Sequence, residues 1–151
     1  MELTIDQALQ KGVLAHKEGK LQDAERLYRS ILEAQPMHAG ANHNLGVLAV
    51  SINKAGAALP FLKKAIEANP KIEQFWLSYL DGLIRAGKVD AATRVVADGK
   101  HLGVAKDKLS ALIERIRQIP PQRAQTDTET FVAPETNGTM LTTESRKNRV
   151  M

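Results

Sequence analysis

Cysteine is absent from the 151 residues, which excludes disulfides and thiolate metal sites and leaves the redox compartment open. Aromatic residues make up only 4%. A core must then rest on Leu, Ile, Val and Ala, which suits closely packed helices better than aromatic-rich strands. No apolar run approaches the roughly 18 residues needed to span a bilayer. The N-terminal MELTIDQALQKG lacks a positive region ahead of an apolar stretch, so no signal peptide is read there. Strong charge bias is lacking too. The formal net charge is +4, and the tail's Arg123, Arg146, Lys147 and Arg149 are balanced by Asp127, Glu129, Glu135 and Glu144. The basic excess therefore lies upstream, interspersed with acids, and no run of about five like charges appears. A nucleic-acid footprint needs a basic stripe, and none is concentrated here. These absences leave a soluble, cytoplasmic chain, 43% apolar and one domain in length.

What the chain does contain is a phrase written twice. AERLYRSILEAQP ends at Pro36, and AALPFLKKAIEANP ends at Pro70, 34 residues later. Gly12 and Gly46 keep that step, as do Gly19, Asn53 and Gly87, and Ala24, Ala58 and Ala92. Tyr28, Leu62 and Val96 continue it as large or branched apolar residues. A fixed period of this length is the signature of a repeat architecture. Each copy divides into two helical patterns around Gly19, Asn53 or Gly87, residues that tolerate the left-handed conformation ending a helix. The small residues mark where paired helices approach closely. Pro36 and Pro70 end the second helix of each pair, each lacking an N–H and clashing with the preceding turn.

These landmarks resemble the tetratricopeptide repeat: a small residue in the first helix, Gly at the turn, Ala in the second helix, then an aromatic or Leu, then Pro. Gly12, Gly19, Ala24, Tyr28 and Pro36 carry the first copy, and Leu45, Gly46, Ala58, Leu62, Ala65 and Pro70 the second. Trp76, Gly87 and Ala92 carry the third, which lacks the closing proline and has Leu80 where Gly is usual. The resemblance implies an all-α, right-handed superhelical stack of about three helix-turn-helix repeats, near 5–38, 39–72 and 73–106. Thr4 and Gln7 read as a capping box opening the first helix. KDKLSALIERIRQI places Leu109, Leu112, Ile113, Ile116 and Ile119 on one face, predicting a capping helix over about 106–119. A repeat domain of 1–119 is expected, followed by a Thr-, Glu- and Asn-rich tail, 120–151, expected to be disordered. Pro60, inside the second repeat's second helix, predicts a kink there or a later helix start.

Chemistry-bearing constellations are few. His16, His38, His43 and His101 occur without a carboxylate cluster, and no HExxH, GxSxG or phosphate-cradling glycine loop is present. His16 and His43 could share the inner surface, but no metal site, cofactor or enzymatic activity is expected. The remaining site is the trough lined by the first helices of stacked pairs. Helical phase places Leu9, Gln10, Val13, His16 and Lys17 there from the first repeat. His43, Asn44, Val47, Val50 and Ser51 follow from the second, then Leu77, Ser78, Asp81 and Arg85 from the third. Such a mixed lining suits a peptide or helix with one apolar edge and a backbone read by polar groups. Val13, Val47 and Val50 serve equally well as filling between helices.

Two groove chemistries of the resembled family can be compared with this lining. Chaperone-binding members clamp a C-terminal carboxylate with Lys, Arg and Asn residues. Here Asn44 alone fits, and Leu9, Val13, Gln74 and Ser78 occupy the other positions, so the cations that draw a carboxylate from water are missing. Repeats in front of O-linked N-acetylglucosamine transferases carry a ladder of Asn. Asn44 matches one rung, with Gln10 and Ser78 replacing its neighbours. The second repeat's wording, NHNLGVLA, looks like bacterial repeat segments that precede glycosyltransferase or sulfotransferase domains. The expected function is a non-catalytic adaptor or scaffold gripping a protein segment. The alternative is the partner-recruiting region of a bacterial transferase. Self-assembly by repeat stacking is a third reading; no nucleic-acid or membrane partner is expected.

Overall fold

The computed structural model describes residues 2–101 and 104–119, with backbone alone at 99–101. Among the described residues there are seven α-helices and no strand, as an all-α chain requires. They are α1 (Ile5–Lys17), α2 (Leu21–Ala34), α3 (Ala39–Ser51), α4 (Ala55–Ala68), α5 (Glu73–Arg85), α6 (Val89–His101) and α7 (Lys106–Arg117). The polar tail expected from residue 120 onward lies outside the described residues.

One turn, used three times, folds α1 onto α2, α3 onto α4 and α5 onto α6. Gly19, Asn53 and Gly87 have φ of 79°, 65° and 76°. In each case the next N–H reaches back five residues: Lys20 to the Ala15 carbonyl at 2.8 Å, Lys54 to Ala49 at 2.8 Å, Lys88 to Leu83 at 2.9 Å. This left-handed closure satisfies carbonyls that the helix end would otherwise orphan, so Gly or Asn is needed at the pivot. At the other end of α1, Gln7 N–H donates to Thr4 Oγ1 at 3.1 Å while Thr4 N–H donates to Gln7 Oε1 at 3.0 Å. The expected capping box is formed.

Pro60 does not delay α4, which begins well ahead of it at Ala55. The ring is exposed, and the carbonyl it deprives of a ladder partner belongs to Gly56. Pro60 lies past the first turn of α4 and so removes one bond of its ladder.

Within the pairs, the periodic residues mesh as sizes require. Ala24, Ala58 and Ala92 are fully buried. A Cβ added to Gly12 would lie 2.5 Å from Tyr28 Cε1, and one added to Gly46 would lie 2.5 Å from Leu62 Cγ and Cδ2. The equivalent third pair reverses the sizes: Leu80 replaces glycine, and Val96 replaces the Tyr or Leu in the same core cluster. The volume lost at one position is regained at the other, which close packing demands.

Successive repeats are locked by a second recurring bond. Asn42, 1% exposed, donates Nδ2–H to the Pro36 carbonyl at 3.1 Å. Its equivalent Trp76 donates Nε1–H to the Pro70 carbonyl at 2.7 Å. Each side chain caps the proline that closed the repeat before it.

Curvature follows from which helices touch. α1 contacts α3, α3 contacts α5, and α5 contacts α7. Among the described residues the backbones of the second helices α2, α4 and α6 do not come so near one another, although Arg29 of α2 reaches over the Phe61 ring of α4. A row packed tightly along one side and spread along the other bends toward the tight side, so the first helices form the inner wall. α7 completes that wall with Leu109 buried and Leu112, Ile113, Ile116 and Ile119 half-buried against Leu80, Leu83 and Val96. It is also pinned by charge. Glu73 accepts from Lys108 Nζ and, at 3.1 Å, from the Ala105 N–H, and Arg115 Nη1 donates to Asp81 Oδ1 at 2.8 Å.

Candidate functional site

The inner wall holds a recess of about 430 Å³. Val47 and Val50 of α3, Leu62 of α4 and Leu77 of α5 supply its apolar surface. Gln74, Ser78 and Asp81 of α5 bring polar atoms, and Lys108, Ala111 and Leu112 of α7 complete the lining. Five residues expected at the groove from helical phase therefore meet around one space: Val47, Val50, Leu77, Ser78 and Asp81. Two more are bonded to residues of this lining. His43 Nε2 lies 2.8 Å from Ser78 Oγ, and Arg85 Nε donates to Asp81 Oδ2 at 2.9 Å.

The first repeat contributes nothing to this recess. Leu9 is half-buried in the core between α1, α2 and α3, against Ile31 and Ala41. Gln10 and Lys17 are exposed, Val13 and His16 half-buried, all on α1 and apart from the recess lining. Asn44 is half-buried on α3 and hydrogen-bonds to the His43 side chain. Ser51 is exposed and donates its hydroxyl to the Leu48 carbonyl at 2.6 Å, so its proton is taken up by its own helix.

Sequence reasoning assigned α7 to covering the last repeat and did not place it in the groove. The signal was available. Glu73 and Asp107 are 34 apart, so α7 stands where the first helix of a fourth repeat would stand, and its Ala111 and Leu112 align with Leu77 and Ser78.

His43 organises the polar wall. Its ring lies against Phe75, centroids 4.7 Å apart. Gln74 Nε2–H donates to Ser78 Oγ at 3.1 Å, so the serine hydroxyl links the Gln74 amide to the His43 imidazole. Burial pushes His43 below its ordinary pKa of 6.5, and the hydrogen bond with Asn44 works in the other direction. Burial lowers His16 in the same way. A Ser–His contact is half of a nucleophilic pair, but acyl transfer also requires N–H donors for the developing oxyanion. The interior N–H groups of α3 and α5 are consumed in their own helical ladders. What the arrangement offers instead is a short file of hydrogen-bonding groups beside an apolar floor. Among the described residues no group of three or more His, Asp or Glu side chains is placed to hold a metal, and no helix is long and apolar enough to cross a membrane.

The charges around the recess are paired. Asp81 accepts from Arg85 and from Arg115, and Glu73 accepts from Lys108 and Ala105. Those two bonds, led by Lys108, hold the Glu73 carboxyl below its ordinary range.

No protein-family model matches the sequence, and no curated protein matches it. Solved structures do resemble it. A MamA D159K mutant aligns at TM-score 0.65 and 24% identity over 77% of this chain and 67% of that one. The TPR2B domain of yeast Sti1, solved in complex with pHsp70, aligns at TM-score 0.69 and 15% identity over 76% and 96%. A Thermobaculum terrenum O-GlcNAc transferase mutant aligns at TM-score 0.64 and 21% identity over 77% of this chain and 23% of the enzyme. With the period of 34, the three-fold Gly or Asn turn and the inner row of first helices, these likenesses settle the architecture: the chain has the superhelical fold of tetratricopeptide-repeat proteins.

Proposed function

We propose that the chain is a non-catalytic protein-interaction module that holds a peptide or helical segment of a partner along the row of first helices. The observation that carries this reading is the recess between α3, α5 and α7. It joins an apolar floor at Val47, Val50 and Leu77 to hydrogen-bonding groups at Gln74, Ser78 and Asp81 of α5. An extended segment needs both: side-chain pockets for affinity and polar groups for its main chain. The complex of the Sti1 domain with pHsp70 supports the reading by fold analogy, which raises its prior without naming a partner. The pairing of Arg26 with Asp23, Arg29 with Glu25 and Lys20 with Glu18 spreads the basic charge among acids, which speaks against a nucleic-acid surface.

A peptide array probed with the wild type and with Val47→Glu tests it. A buried, unpaired carboxylate in the floor is costly, so retained peptides should bind the variant at least about tenfold more weakly, with helicity unchanged. Equal binding would remove the recess from consideration. The likeness to the transferase supports a second reading, a region that recruits substrate or partner to a catalytic domain. A natural reading frame that continues into, or neighbours, such a domain would favour it.

A further inference from the structure

The recess is not neutral in character, and its asymmetry says what it selects. α3, which supplies Val47 and Val50, carries no Asp, Glu, Lys or Arg. All the nearby charge stands on α5 and α7. Lys108 is met by Glu73 and stands beside Asp107, whereas Arg85 and Arg115 share the single carboxylate of Asp81, so that group of three carries one positive charge over. The surplus is localised at Asp81. One carboxylate there is shared by two guanidiniums, each contributing one bond, at 2.9 Å from Arg85 and 2.8 Å from Arg115. A guanidinium has five N–H donors, and these two side chains are 55% and 43% exposed. Both therefore present further donors to solvent at the edge of the recess. Asp81 holds them side by side, so that their mutual repulsion and much of their ordering entropy are settled before a ligand arrives.

We propose that the recess takes a peptide bearing one bulky apolar side chain close to an acidic residue: the apolar group enters between Val47, Val50 and Leu112, and the acid caps the Arg85–Arg115 pair. This rests on the protein-interaction reading and narrows it. The pair differs in place and in residues from the carboxylate clamp considered in the sequence, whose positions are held by Leu9, Val13, Gln74 and Ser78. It depends on α7, which supplies Arg115 and part of the lining. Charge-assisted bonds to guanidinium are short and directional, so the acid sets orientation and register while the apolar anchor supplies affinity.

Selection from a random peptide library on the intact chain tests this. Wild type should enrich Leu, Ile, Met or Phe within a few positions of Asp or Glu. Synthetic peptides from that pool should lose about three- to tenfold in affinity when the acid becomes Gln, allowing for partial exposure of the arginines. The same peptides should also weaken with added salt. Phosphoserine in place of the acid distinguishes the anion's source: binding at least as tight supports anion recognition with phosphate as the group, and weaker binding assigns it to carboxylate. Arg85→Gln with Arg115→Gln should erase the acidic preference and leave the apolar one. A single Arg85→Gln variant, which leaves α7 its own anchor to Asp81, serves if the double variant loses helicity. Peptides that bind through Val47 yet show no acidic preference, or a basic one, overturn this inference and leave the interaction reading standing. Peptides indifferent to Val47→Glu, or no enrichment at all, overturn both.

Discussion

Gly46 lies directly beneath Leu62, so close that a Cβ on residue 46 would stand 2.5 Å from two of the leucine's carbon atoms. Leu62 is fully buried, so an added methyl group must displace it from its packed position. Gly46→Ala should therefore destabilise the fold by about 1–3 kcal/mol, the range for overpacking a filled core, although alanine is the better helix former. The third repeat suggests the remedy. Leu80 occupies the equivalent position opposite Val96, so Gly46→Ala combined with Leu62→Val should recover part of the loss. Urea denaturation of the single and double variants measures the coupling; strict additivity would mean that the two sites do not share their space.

Tyr28 is the bulky partner of Gly12 in the first repeat. It is fully buried, and its hydroxyl has no hydrogen-bond partner among the described residues. A buried hydroxyl without a partner costs about 1 kcal/mol or more. Tyr28→Phe should consequently be neutral or stabilising by about 1 kcal/mol, unlike most core substitutions. Alkaline titration supplies an independent check. Burial raises the phenol from its ordinary 10 to about 12. The folded state favours the protonated phenol, so the stability it contributes is complete below pH 10 and is lost as pH climbs from 10 through 12. Thermal unfolding across that window should show a smaller loss in Tyr28→Phe than in wild type.

Much of this architecture was legible because the repeat writes each constraint more than once. A left-handed turn demands Gly or Asn, and the chain supplies Gly19, Asn53 and Gly87 at one spacing. A close helix approach demands a small residue, and Ala24, Ala58 and Ala92 answer it. The size exchange at Leu80 and Val96 was half visible, since the departure at Leu80 was plain but its compensation needed the pairing. The groove was legible in part. Helical phase finds the inward face of α3 and α5, and so recovers Val47, Val50, Leu77, Ser78 and Asp81. Phase alone cannot say where along the wall a space remains, because that depends on which neighbour fills it. On α1, Leu9 turns into the core, and Gln10, Val13, His16 and Lys17 lie apart from this recess. α7 instead adds Lys108, Ala111 and Leu112 from a helix assigned to covering. Of the two outcomes that Pro60 suggested, a kink or a later helix start, the later start does not occur, because α4 already begins at Ala55.

Acid should loosen the second and third repeats before it unfolds the chain by carboxylate protonation. His43 sits half-buried against Phe75 and bonded to Ser78, and burial lowers its pKa from 6.5. A base whose folded pKa is depressed is held neutral by the fold. Its contribution is therefore present above pH 6.5 and is lost as pH falls below that value through the folded pKa. His16 adds a term of the same sign. Stability measured between pH 8 and 5 should decline below about 6.5, and His43→Gln should flatten the decline without abolishing it. An unchanged profile in that variant would assign the whole effect to His16 and other groups.

The edge formed by α1 and α2 bears on self-assembly. It contains a second hollow, lined in part by Lys11, Leu14, Glu18, Asp23 and Arg26. One period later the same positions are Leu45, Leu48, Ile52, Ala57 and Pro60. In the second repeat Leu45, Leu48, Ile52 and Ala57 share a core cluster with Ala24 and Tyr28 of α2, and Leu48 is fully buried there, whereas Leu14 is 56% exposed. Charges replace apolar residues at Lys11, Glu18 and Asp23, and Glu18 and Asp23 are paired locally with Lys20 and Arg26. Stacking another repeat on this edge would strip water from those charged groups, a cost that a single exposed leucine does not offset. Head-to-tail polymerisation is accordingly disfavoured, and sedimentation should find a monomer over a wide concentration range. Replacing Lys11→Leu, Glu18→Ile and Asp23→Ala restores the seam composition of the second repeat, and that variant should self-associate with increasing concentration. Association of the wild type that persists when Leu14 is changed to Glu would show that some other surface joins the copies.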